Sequence, residues 1–194
     1  NFAPPGNIIG IVPKGMGEDA LAFVDRLEHE WNGLSREAGM PRYLIGGDYI
    51  KTFNDDKQRN KGDFRLTVVL NRPAILFVLF DKRLEPPDWL TADFERTYDM
   101  LGLDTGRWDP YDVETEPGRV RGVGSGQSID HEFSIWKRRV NRAGAVVLGP
   151  NCRNYNKRTP YRASMYGVVA LESPSTPREE RTLKSMLRNP AAQK

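Results

Sequence analysis

The chain of 194 residues has a single cysteine, Cys152. An internal disulfide is therefore impossible, and the fold is either large enough to stand on its core or kept in a reducing compartment. Long apolar runs are missing as well. None approaches the roughly 18 to 20 residues that span a bilayer, and no charged segment leads into an apolar one at the start. A first residue of Asn1 rather than Met is compatible with an excised fragment. Hydrophobic residues are scarce at 38% while 18 Gly and 14 Pro supply turns, a balance that suits short strands and long loops better than helical bundles. No nucleophile-elbow sequence is present. GVGSGQ at residues 122–127 lacks the GK[ST] of a phosphate loop and reads as a connector.

What is present speaks first about architecture. In residues 64–70, Phe64, Leu66, Val68 and Leu70 alternate with Arg65, Thr67 and Val69, the period of a strand with one buried face. Pro73 breaks the pattern, and residues 74–80 are apolar on both faces, as in a central strand. The two read as a central pair. Further strands are expected around residues 8–12, 21–33, 43–53, 129–140, 145–148 and 165–171. Thr91 is expected to cap a short helix carrying Phe94, Tyr98 and Leu101 and stopped at Gly102. Residues 104–128, rich in Gly, Pro and Asp, read as surface loop. The fold class is all-β: an antiparallel β-sandwich with long loops and at most one or two short helices. Residues 1–19 form an extended lead-in, 20–172 the sandwich, and 173–194 a basic linker or tail that has room for a short helix at Leu183, Met186 and Leu187.

The net charge of +3 hides an uneven distribution: residues 137–194 hold 13 Lys and Arg against 3 Glu, and the rest of the chain is acidic. Such asymmetry marks either a polyanion-binding surface or a solvated face. Arg138, Arg139, Arg142, Arg153, Lys157, Arg158 and Arg162 are the residues that would neutralise a polyanionic glycan, with Trp108 or Tyr155 for stacking. Nucleic acid is excluded as the favoured ligand, because most of the chain is acidic and no nucleic-acid-binding signature appears.

The order EWNG (residues 30–33), GGDYIKTFNDDK (46–57), LFVLFDKR (76–83), PPDWL (86–90), GSGQSIDHEFSIWKRR (124–139), LGPN (148–151) and MYGVVAL (165–171) resembles a domain of planctomycete proteins. That domain occurs in the extracytoplasmic region of FecR-type transmembrane sensors and in large secreted proteins that also carry laminin-G-like lectin domains. The likeness covers roughly residues 20–171. The order of a strand, then D-x-R (Asp81, Arg83), then P-x-W-L (Pro87, Trp89, Leu90) is also similar to galactose-binding-like modules attached to polysaccharide-degrading enzymes. The resemblance implies a jelly-roll sandwich outside the cytoplasm that recognises a carbohydrate. It carries no binding residues across position by position. Residues 104–128 and RNYNKRTPYR (153–162) are longer than the pattern provides.

Candidate ligand-binding residues follow from the residue types themselves. Trp31, Trp89 and Trp108 stand beside turn residues or acids, where an exposed indole would stack on a sugar ring; Trp136, in a strand, reads as core. Asp81, Arg83, Arg153, Tyr155 and Arg158 complete the binding set. An alternative for Asp81 is pairing with Arg83 or capping of the following turn. Asn54, Asp55 and Asp56 offer oxygen ligands for a structural calcium, although the spacing is not that of an EF-hand. Catalytic readings have less behind them. His29 and His131 have acidic neighbours, and Ser125 or Ser128 could serve as nucleophile, but no motif joins them, and Cys152 has none of its own. The favoured function is a non-catalytic carbohydrate-binding module, with acidic or sulfated polysaccharide as ligand. The alternatives are a structural or protein-interaction domain of an envelope sensor or extracellular assembly, and a polysaccharide-cleaving enzyme.

Overall fold

The computed structural model describes residues 2–3, 7–8, 15–34, 39–59, 64–105, 129–151 and 163–188. Its strands are β1 (Phe2–Ala3), β2 (Asn7–Ile8), β3 (Ala20–Leu21), β4 (Glu30–Asn32), β5 (Asp48–Ile50), β6 (Leu66–Leu70), β7 (Ala74–Asp81), β8 (Glu95–Asp104), β9 (His131–Val140), β10 (Gly144–Leu148) and β11 (Gly167–Glu172). Helix α1 (Asp88–Asp93), helix α2 (Pro177–Arg188) and a 3-10 turn at Asn54–Gln58 complete the elements. Seven strands form one antiparallel sheet in the order β3-β4-β8-β9-β7-β11-β5, while β6 and β10 pair separately, as do β1 and β2.

The register puts odd-numbered residues on one face of the large sheet. Phe77 lies beside Lys137 and Val169, Leu79 beside Ile135 and Gly167, and Leu101 beside Phe133. Four strand spacings separate β4 from β11, about 19 Å in a flat sheet at 4.8 Å per strand. Yet a Cβ built on Gly167 would lie 2.8 Å from the Trp31 ring. The sheet is therefore curled until its limbs face each other, and a parallel bridge between Phe23 and Thr52 joins its two edges. This facing pair of limbs is the sandwich. Between them lie Phe23, Trp31, Phe77, Leu79, Phe133 and Ile135, all buried. Each large apolar side chain so enclosed stabilises the fold by roughly 1.5 to 3 kcal/mol.

The even-numbered face carries Leu76, Val78, Phe80, Trp136 and Val168, also buried. The β6-β10 pair turns Val68, Leu70, Val146 and Leu148 inward and leaves Val69 and Val147 exposed. Strand β7 is buried along its whole length, as its unbroken apolar run predicts. Its sequence neighbour β6, however, pairs with β10 in a separate two-stranded sheet: the two strands of the expected central pair do not pair with each other, and the chain passes from one sheet to the other at Pro73. The segment 21–33 is strand only at its ends, β3 and β4. Between them the chain turns, and Leu27 is 71% exposed.

The helix expected from Thr91 to Gly102 is corrected by the structure. Helix α1 is already complete at Asp93, and β8 follows directly. Thr97, Asp99, Leu101 and Leu103 point inward in period two, while Tyr98 is 90% exposed. Two extra residues of β8 bulge out between Arg96 and Met100, and the Thr97 hydroxyl donates to the Ile135 carbonyl at 3.0 Å across the gap. In the C-terminal segment, α2 lays Leu183, Met186 and Leu187 against the core.

Candidate functional site

The clearest constellation of polar groups lies where β7 ends and β9 begins. Asp81 closes β7 on the inward face and is 0% exposed. Its carboxylate accepts from the Arg83 Nε at 2.9 Å and Nη2 at 2.6 Å, the Arg83 backbone N–H at 3.0 Å and the Ser164 N–H at 2.7 Å. Four donors saturate a carboxylate. The buried charge is thus compensated, and Arg83 is held in a fixed pose while keeping part of its surface in solvent.

His131 joins them from the first position of β9, with Nε2 3.0 Å from Arg83 Nη1. A guanidinium can only donate, so Nε2 must be the unprotonated nitrogen and the ring is neutral, with its proton on Nδ1. Burial first, then the Arg83 charge, holds His131 below its ordinary pKa. His29 shares this surrounding: burial, with Arg26, Lys57 and His131 adding to it, pushes its pKa down to about 4. Lys57 is likewise lowered by burial and by the nearby Arg26. The corner holds two neutral imidazoles among cations.

Outside this triad the surface opens into a cleft of about 450 Å³. Lys82, Arg83, Asp130, His131 and Glu132 give it polar walls, and Leu34 and Ile129 give it an apolar patch. Lys82 and Glu132 pair at 2.6 Å on one wall. Asp130 accepts from both the backbone N–H and the hydroxyl of Thr105, at 2.7 and 2.6 Å, and so ties the exit of β8 to the entry of β9. The volume falls in the roughly 300 to 1,000 Å³ range of small-molecule sites. Asp81 and Arg83 are brought together here as anticipated. The stronger of the two readings for Asp81 is the pairing one, since none of its lone pairs is left for a ligand. His131 was missed as a partner; the signal is its alternation with Phe133, which the register sets opposite Asp81.

Among the described residues, the tryptophans Trp31, Trp89 and Trp136 do not form platforms. Trp31 is 0% exposed, with its ring edge-on to Phe133 at 4.8 Å and Phe23 at 5.8 Å. The expectation of an exposed indole fails there because β4 is an inner strand between β3 and β8. Trp89 is half-buried: its Nε1 donates to the Pro150 carbonyl at 2.9 Å, and its ring packs on Phe94 and Tyr166. Gly149 leaves the space, since a Cβ there would lie 2.5 Å from the indole. Trp89 therefore anchors the chain after β10 instead of facing a ligand. Trp136 is core, as read from its strand, and donates to Ser134. Trp108, Arg153, Tyr155 and Arg158 lie outside the described residues, as do Lys157, Arg162, Ser125, Ser128 and Cys152.

The proposed calcium ligands are spoken for separately. Asn54 is buried and its side-chain oxygen accepts from the Met165 N–H at 3.0 Å. Asp55 pairs with Arg26 at 2.6 Å, and Asp56 with Arg59 at 3.0 Å. Burial, ahead of its acidic neighbours, raises the Asp56 pKa. Among the described residues no three His, Cys, Asp or Glu side chains gather as metal ligands. The three groups do not fit a shared calcium, because each faces a different protein partner.

The basic stretch in β9 is also paired. Lys137 meets Glu95 at 3.3 Å, Arg138 meets Asp93 at 3.1 Å, and Arg139 meets Glu180 at 3.7 Å. Arg138 also lies 5.9 Å from the centre of the Phe94 ring. Arg142 is exposed beyond the strand.

No family model matches this chain, and no curated protein matches it. Among solved structures it is similar to a β-glucuronidase from glycoside hydrolase family 2, with a TM-score of 0.58 and 21% identity, over 83% of this chain and 13% of that one. The chain thus spans about an eighth of that enzyme's length, and the likeness is one of fold: an antiparallel β-sandwich.

Proposed function

We propose that the chain is a non-catalytic carbohydrate-binding module of the β-sandwich type that works outside the cytoplasm. The observation that carries the reading is the cleft at the end of β7 and β9, a small-molecule-sized recess with charged walls and an apolar patch on a rigid sheet end. A sugar presents hydroxyls to such walls and C–H faces to such a patch. The similarity in fold to a domain-sized part of a glycosidase supports it. So does the resemblance of the sequence to modules attached to polysaccharide-degrading enzymes and to the extracytoplasmic part of planctomycete FecR-type sensors. The non-catalytic assignment rests on the cleft acids. The buried Asp81 behind the cleft is saturated by four donors, Asp130 on its wall accepts twice from Thr105, and Glu132 is paired with Lys82, whereas a glycosidase needs one carboxyl able to give a proton and a second poised across the scissile bond.

Isothermal titration with neutral and acidic oligosaccharides, run beside an assay for released reducing ends, tests the reading. Saturable binding without new reducing ends is expected. Release of reducing ends would make the chain an enzyme. Absence of binding at millimolar sugar would favour the structural or interaction role, for which the exposed Val69 and Val147 on the outer face of β6-β10 offer a small apolar surface.

A further inference from the structure

We infer that the cleft receives the carboxylate of a uronic acid residue, with Arg83 as the group that binds it; this rests on the carbohydrate reading above. A guanidinium has five N–H bonds. In Arg83 the Nε and Nη2 each give one to Asp81, and Nη1 gives one to His131. Two remain, one on each terminal nitrogen, on a side chain that lines the cleft. Because Asp81 is itself fixed by the Ser164 and Arg83 backbone N–H groups, Arg83 pays little ordering entropy when a ligand arrives. Charge-assisted contacts to a carboxylate are the strongest that such donors make.

The surroundings select the size of the anion's charge. Glu132 stands on the cleft wall, where it can take sugar hydroxyls as donors, and the charges of Asp130 and Glu132 repel a densely sulfated chain. The bases of β9 are paired with acids of β8, α1 and α2 and so offer a polyanion little. A single carboxylate beside several hydroxyls, with a C–H face for Leu34 and Ile129, matches this lining better than sulfate esters do. His131 would feel the arrival directly. An anion on Arg83 offsets the charge that helps hold the imidazole neutral, so the His131 pKa rises on binding.

The test uses the full chain with four probes: an oligogalacturonate, its neutral galactose counterpart, a sulfated polysaccharide, and acetate. Binding is followed by calorimetry and by the His131 ring resonances. Oligogalacturonate is expected to bind at least about tenfold more tightly than the neutral sugar, with acetate weaker than either. Arg83→Gln should abolish that preference. Because it leaves Asp81 charged and buried, the double variant Asp81→Asn with Arg83→Gln provides a folded control, and it too should bind both sugars alike. Glu132→Gln should improve binding of the sulfated chain. Equal affinity of wild type for acidic and neutral sugar, or a preference that survives the double variant, would overturn the inference while leaving carbohydrate binding intact. Acetate as tight as the oligosaccharide would reduce the site to a simple anion pocket and overturn it too. No binding of any sugar would take down the carbohydrate reading itself, and this inference with it.

Discussion

At the scale of single residues, ionisation at the cleft end couples folding to pH. His29 titrates at about 4 in the folded protein against its ordinary 6.5. Between those values the unfolded chain takes up a proton that the folded one refuses, so stability falls as pH drops from 6.5 toward 4 and is unaffected by this group at higher pH. His131, held low by burial and Arg83, acts in the same direction. One such group gives a slope of at most about 1.4 kcal/mol per pH unit, lessened by its partial exposure. Urea midpoints at pH 7.5 and 5.0 should show the loss, and His29→Leu should flatten it. The sequence displayed both histidines beside acids, neighbours that could orient an imidazole for general-base work. In the fold burial leads in lowering both rings, and Lys57 and Arg83, which are distant in the chain, add to it beside the local Arg26. For the same reason Asp81 and Arg83 were legible, being two residues apart, while the link from Arg83 to His131 was not.

At the scale of elements, local signals held where the apolar pattern of a strand follows its burial. The alternation in β6 and the apolar run of β7 were readable because burial alternates in the first and is continuous in the second. Strand β8 was misread as helix because Phe94, Tyr98 and Leu101 fall at helical spacing, whereas the residues it buries between Phe94 and Leu101 are the polar Thr97 and Asp99. Helix α2 carried a readable start that went unused: Thr176-Pro177-Arg178-Glu179 is a capping box with proline in the first helical position. In the structure the Glu179 N–H donates to the Thr176 hydroxyl at 3.2 Å and the Thr176 N–H to the Glu179 carboxylate at 3.1 Å. Thr176→Ala should weaken this helix by about 0.5 to 2 kcal/mol. Hydrogen exchange should then speed up in the α2 amides and leave those of β7 and β9 unchanged.

At the scale of the whole molecule, the decisive contact is the one between the two limbs of the curled sheet. Gly167 in β11 has no side chain where Trp31 of β4 comes across, and Gly167→Ala would bring a methyl to 2.8 Å from the indole. Part of the clash can be relieved only by moving Trp31 against Phe23 and Phe133, so a cost of about 1 to 3 kcal/mol is expected. It should appear as a lower urea midpoint together with altered tryptophan fluorescence. The same long-range assembly sets acids of β8, α1 and α2 beside Lys137, Arg138 and Arg139 of β9. By itself the sequence determined the all-β class, the buried centre at β7 and the turn-rich connections, since these follow from periodicity and from residues close in the chain. Only the tertiary structure decided which tryptophans face the core, which charges neutralise one another and which polar groups share a cleft. Those outcomes depend on how far the sheet curls and on registers between strands separated by tens of residues, which no local pattern encodes.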